Sequence, residues 1–259
     1  MGTSTRWEGP KGGRWAAAGG RLARWPRASR DADQQLDEIA ADYLRALQET
    51  LRADPSAFGL YETACAAGER LAGALGSLAQ EGARSENALI ARLVSEVGGD
   101  GGTLADAAVR RGLVAAARDV RGSHPELDDV MGAGGGFAWD ILCDLYQVFF
   151  ADLVGEFLRS VVAEHVQLAV PVLVVADPEG RIAGWVAEKV VDLVPNPCEE
   201  SAEATELAQA VGTAESVMGM AQDPAAVLPK VAEKLVPGAV GKVLGLITEE
   251  AVSGEGAAA

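Results

Sequence analysis

Residues 137–170 read FAWDILCDLYQVFFADLVGEFLRSVVAEHVQLAV, and the fold of the chain turns on how that run is read. Asp140, Asp144 and Gln147 fall on one narrow helical stripe, while Ile141, Leu142, Leu145, Val148, Phe149, Phe150, Leu153, Val154, Phe157, Leu158, Val161 and Val162 cover most of the remaining circumference. A helix apolar on so many sides is normally the central element of a domain. The run predicts a long core helix, ended or kinked by Pro171, against which the other helices pack.

Upstream, Leu36, Ile39, Tyr43, Leu47 and Leu51 recur at steps of three or four and predict a helix from about Asp33. Asp54 followed by Pro55 reads as an N-cap and N1 proline for a second helix carrying Phe58, Tyr61, Cys65, Leu71, Leu75 and Leu78. Ser85 caps a third, the glycine run 98–102 breaks it, and Thr103 with Asp106 gives a capping-box spacing for a fourth. Residues 172–187 admit two readings. Val172 to Val175 followed by Asp177-Pro178-Glu179-Gly180 suits a hairpin and an α+β fold. Asp177 as N-cap, Pro178 at N1, then Ile182, Trp185, Val186, Lys189 and Val190 suit a helix, which is the preferred reading. The last part is expected to be helical pieces broken by Pro229 and Pro237. The fold class expected is therefore all-α, a multi-helix bundle around a long apolar central helix. It divides into a flexible basic tail (1–30), a bundle (31–197) and an acidic helical segment packing on it (198–259).

Composition narrows the function. The chain carries a formal charge of −16 over 259 residues, with 49% hydrophobic and 5% aromatic residues. Small apolar residues therefore dominate, which favours helices in close approach. Before Asp31 the balance is positive, with Arg6, Lys11, Arg14, Arg21, Arg24, Arg27 and Arg30 against Glu8, so the body is still more acidic. Such a body repels phosphate backbones, and nucleic-acid binding through it is not expected. Trp7, Trp15 and Trp25 in the basic tail are the candidate interaction residues, a docking peptide for a protein partner, with a poorly ordered leader or misassigned start as the plainer and preferred reading. The longest strongly apolar uncharged run, Val166 to Ala176, is about half the roughly 20 residues of a membrane span. No apolar secretory core is seen near the start. Cys65, Cys143 and Cys198 form no CxxC pair, so neither a disulfide framework nor a zinc site is expected and a reducing cytoplasm fits. Arg far outnumbers Lys, a compositional pointer to a bacterial source.

Each candidate for chemistry has a plainer alternative. Asp140 and Asp144, one turn apart and downstream of Glu126, Asp128 and Asp129, are the candidate metal ligands, but an ion pair at the helix's solvent edge explains them more simply. His165 and His124 are the only histidines, and a structural role outweighs an acid–base one. Cys143 and Cys65 read as small core residues without an adjacent base. The runs Gly132 to Phe137 and Gly238 to Val243 lack the spacing of dinucleotide or Walker loops, so their expected work is helix breaking and close packing. Gly238, Gly241 and Gly245 beside Lys230, Lys234 and Lys242 admit a membrane-active reading, with packing on the domain or on a partner preferred. No cofactor is expected. The functional expectation is a non-catalytic helical interaction module, a bacterial cytoplasmic adaptor, regulator or assembly component that meets a protein partner or a second copy of itself. A membrane-perturbing effector that releases the apolar helix and a carboxylate-metal-dependent helical enzyme are the alternatives.

Overall fold

The computed structural model describes residues 10, 12–26, 29–169, 177–202 and 224–247, with the backbone alone at 165–169 and 224–227. Every regular element among them is helical: α1 (Gly13–Ala23), α2 (Ala32–Ala53), α3 (Leu60–Glu81), α4 (Glu86–Val97), α5 (Leu104–Ser123), α6 (Leu127–Ala133), α7 (Trp139–Ala169), α8 (Pro178–Val190) and α9 (Pro224–Val243), with 3-10 turns at Ala57–Gly59 and Val191–Leu193 and helical backbone also at 197–202. No strand occurs among the described residues, so the all-α fold expected from the sequence is the one observed.

The apolar run 137–170 is the 31-residue helix α7. Phe149, Phe150, Leu153, Val154, Phe157, Leu158, Val161 and Val162 on it are at most 1% exposed. Burying each contributes about 1.5–3 kcal/mol against the entropy of ordering the chain. Helices α5 and α8 flank α7 most extensively, with α3, α9 and α1 completing its surroundings. The close approach depends on absent side chains. A Cβ on Gly112 of α5 would stand 3.0 Å from the Leu153 backbone nitrogen, and one on Gly155 of α7 would stand 2.6 Å from the Ala183 carbonyl of α8. At both crossings backbone meets backbone, and any larger residue would push the helices apart.

Local signals hold in most places. Ala88 N–H donates to Ser85 Oγ, and Thr103 and Asp106 exchange both bonds of a capping box at the start of α5. Asp177 caps α8 by accepting from Gly180 N–H, with Pro178 in the first turn. The helical reading of this segment therefore stands over 178–190, and residues 172–176 lie outside the described residues.

Three expectations need correction. Residues 13–23 are helix, not loose tail. Trp15, Ala18 and Leu22 form its buried face, at steps of three and four, and Trp15 Nε1 donates to Thr50 Oγ1 at 2.9 Å. Arg14 and Arg21 pair with Glu49, Glu38 and Asp42 of α2, so the basic stretch neutralises its neighbour. Second, Asp54 does not cap a helix. It accepts from Ser56 N–H within a turn, and α3 starts only at Leu60, because Phe58 takes a left-handed backbone (φ 64°) that directs its ring between Trp15 and Phe157. Third, Pro229 and Pro237 lie inside one continuous α9. Each proline removes a helical N–H, yet Ala232, Val236, Val240 and Val243 line a face at most 1% exposed, and this packing holds the helix together. The Gly238–Gly245 piece lies in that buried region, with Leu244 fully covered, in keeping with packing on the domain.

Candidate functional site

Two acidic residues of α7 are buried, Asp152 at 6% and Glu156 at 8% exposure, one helical turn apart. Their surroundings differ. Glu156 accepts from Arg111 Nε at 3.0 Å and from Arg159 at 3.2 Å, so its charge is matched by two guanidinium groups. Asp152 has no such neighbour among the described residues. Its Oδ2 is covered and has no hydrogen-bond partner among the described residues, a state shared there only by Glu179 Oε2, which lies in the first turn of α8 where the helix dipole favours a negative charge. An unmatched buried carboxylate is costly, so the group holds its proton instead. Burial first, then repulsion from Asp119 and Glu156, pushes its pKa up to about 8.

Asp152 lines a recess of about 540 Å³ between α5, α7 and α8. Small residues shape it. Gly122, Ala151, Gly184 and Ala187 leave the space, while Val148 and Val191 give it apolar walls. Arg118, Asp119 and Glu188 stand exposed around the recess, three carboxyls in all against one guanidinium. Arg118 turns toward Glu86 at 3.7 Å, and desolvation beside the recess raises the Asp119 carboxyl above the ordinary range. The volume is within the range of small-molecule sites.

A second recess of about 620 Å³, at α3, α4 and the 98–102 loop, has Glu62, Glu96, Asp100 and Asp106 around Arg70. Its polar groups are more fully engaged: Asp106 closes the capping box, Arg70 donates to the Val97 carbonyl and Glu96 pairs with Arg92. It is an acidic surface hollow, whereas the first recess reaches an unmatched buried group.

The residues singled out from the sequence are placed elsewhere. Asp140 accepts from Ile141 N–H, and Asp144 pairs with His124 Nε2 at 2.7 Å while Glu126 takes His124 Nδ1 at 3.0 Å. Gln147, the third member of that stripe, donates to the Val194 carbonyl, so the stripe binds α7 to neighbouring segments. Among the described residues no group of three or more His, Cys, Asp or Glu side chains is arranged to hold a metal ion. Trp15 and Trp25, expected in a docking tail, are 5% and 7% exposed, with Trp25 Nε1 donating to the Ala32 carbonyl and Arg181 over its ring. Trp7 and the side chain of His165 lie outside the described residues. Cys65 is partly buried, and burial raises its thiol pKa, which keeps the reactive thiolate scarce near neutral pH.

Cys143 and Cys198 are joined by a disulfide, with Cα atoms 6.0 Å apart, against the expectation of three unpaired thiols. The pair spans 55 positions, and only the return of the chain past the Val191–Leu193 turn to the start of α7 brings its members together. No short spacing in the sequence could have announced it. Asp152 escaped the sequence reading for a related reason: it shares a helix with many apolar residues, and periodicity does not say which acid faces an arginine. Comparison with family models, with curated proteins and with solved structures finds no match for this chain.

Proposed function

We propose that the chain is a non-catalytic helical interaction module, an adaptor, regulator or assembly component whose protein partner presents positive charge. The observation that carries this reading is the lining of the two recesses, where carboxyls outnumber guanidinium groups on a chain of net charge −16. The arginines of α1 do not offset that field outward, since Arg14 and Arg21 are committed to α2. Complementary charge speeds encounter and selects partners more than it adds affinity. Trp15 and Trp25 are buried and so present little surface to a partner, and the reading therefore rests on the acidic body.

Pull-down from the native host tests this between about 0.01 M and 1 M salt, across which the screening length falls from about 30 Å to about 3 Å. A basic partner released by salt supports the reading, and recovery indifferent to salt removes it. The excess of Arg over Lys supports a bacterial source. Three cysteines without a CxxC pair fit a reducing cytoplasm, while the Cys143–Cys198 disulfide favours an oxidising compartment. Thiol alkylation of protein taken directly from cells, read by mass spectrometry, decides between the two. No helix among the described residues is long and apolar enough to cross a membrane.

A further inference from the structure

We infer that the recess between α5, α7 and α8 is a binding site for a small organic amine, whose ammonium group takes up the countercharge position that the fold leaves empty beside Asp152. This goes beyond the protein-interaction reading and does not depend on it.

The argument starts from the contrast between neighbours. Glu156 shows how this fold stabilises a buried carboxylate, with Arg111 and Arg159 both within hydrogen-bond distance. One turn earlier Asp152 is as deeply buried, lines an open recess and has an oxygen without a partner among the described residues. Burying such a group unmatched is unfavourable, and one that sits in a cleft is a candidate for a functional role. The recess also selects the sign of its occupant. Asp119 and Glu188 face the same space, from α5 and α8, and the one guanidinium among its lining residues, Arg118, is drawn toward Glu86. An anion would meet three carboxyls, of which Glu188 already pairs with Lys189 at 3.6 Å, whereas a cation would face Asp119 and Asp152.

The walls decide between a bare ion and an amine. A metal ion needs several convergent oxygens, and no group of three suitable side chains is present among the described residues. The volume of about 540 Å³ is far more than an ammonium head fills, and Val148, Ala151, Ala187 and Val191 offer apolar surface to a hydrocarbon or aromatic body. When the ammonium enters, the proton on Asp152 leaves to solvent and the carboxylate and ammonium remain as a pair. The charged groups around that event are Arg118 and Asp119 on α5, Glu156 with its arginines on α7, and Glu188 with its partner Lys189 on α8.

The experiment is titration of the full chain with 2-phenylethylammonium, followed by calorimetry and saturation-transfer NMR, with 2-phenylethanol as the uncharged match. The amine is expected to bind at or below about 10 mM, releasing close to one proton at pH 6.5 and none at pH 9. Asp152→Asn, which keeps the shape, is expected to weaken it at least about tenfold. Gly184→Leu supplies an independent check. A Cβ at Gly184 meets nothing within 4 Å and the position has ordinary helical backbone, so the larger side chain fills the recess without disturbing the helix and should block the amine as well. Equal binding by either variant, binding of the alcohol with similar affinity, absence of proton release at pH 6.5, displacement by Ca²⁺, or no binding at about 10 mM would each overturn the site. None of these outcomes bears on salt-sensitive recovery of a protein partner, so the two proposals fail separately.

Discussion

Asp152 and Glu156 are one turn apart on α7 and similarly hidden from water, yet among the described residues only Glu156 has a cation beside it. The difference has a consequence for pH. A carboxyl held at a pKa of about 8 in the fold and near 3.9 when unfolded keeps its proton in the native state over the range between. Its contribution to stability is complete below about pH 4 and is lost as pH rises toward 8. Asp152→Asn, which cannot ionise, is therefore expected to flatten that slope and to exceed the parent in stability at pH 8.5 by at least about 1 kcal/mol. Urea midpoints at pH 5 and 8.5 measure it, and an unchanged slope would refute the assignment. His124 works in the same direction. Burial opposes its charge, but the bonds to Asp144 and Glu126 outweigh that and raise its pKa above 6.5. The contact's full contribution is present below about pH 6.5 and disappears as pH climbs through the raised value. His124→Gln should remove the corresponding change in thermal midpoint between pH 6 and pH 8, scanned by circular dichroism.

At the scale of elements, α1 and α7 mark the range of what periodicity can reveal. The apolar run of α7 is long enough that no other element fits it, and its central place follows from its composition. In α1 the face Trp15, Ala18 and Leu22 is only three residues wide, set among arginines and glycines, and the regular spacing is easily taken for chance. Burial against α2 makes the helix, with Trp15 ringed by Tyr43 and Phe58 at centroid distances of 6.2 and 6.3 Å. Trp15→Ala is expected to cost about 3–5 kcal/mol in urea unfolding, the range for a large aromatic removed from a core. A loss within about 0.5 kcal/mol, as for an ordinary surface position, would return this segment to the status of a loose tail. The prolines of α9 teach the opposite lesson. Local propensity predicts breaks at Pro229 and Pro237, and an apolar face packed against α3 overrides it.

At the scale of the molecule, one hydrophobic core among the described residues runs from Trp15 to Leu244, and the Cys143–Cys198 disulfide links residues 55 positions apart. In the chain-entropy account a link of this span stabilises by about 4 kcal/mol, at the upper end of the typical range, by restricting the unfolded chain. Reduction, or Cys198→Ser, should lower the urea midpoint correspondingly while leaving the helical circular-dichroism signal in place. Identical midpoints with and without reductant would mean that the link is not formed in solution. The sequence by itself determined the all-helical class, the central helix, and the caps at Ser85, Thr103 and Asp177, because these depend on side-chain spacing along a few turns. Only tertiary structure decided which acid would find an arginine, which cysteines would meet, and whether a short tryptophan-bearing stretch would fold. Each of these depends on partners brought from distant positions, and the energy of such a contact is written in two segments at once.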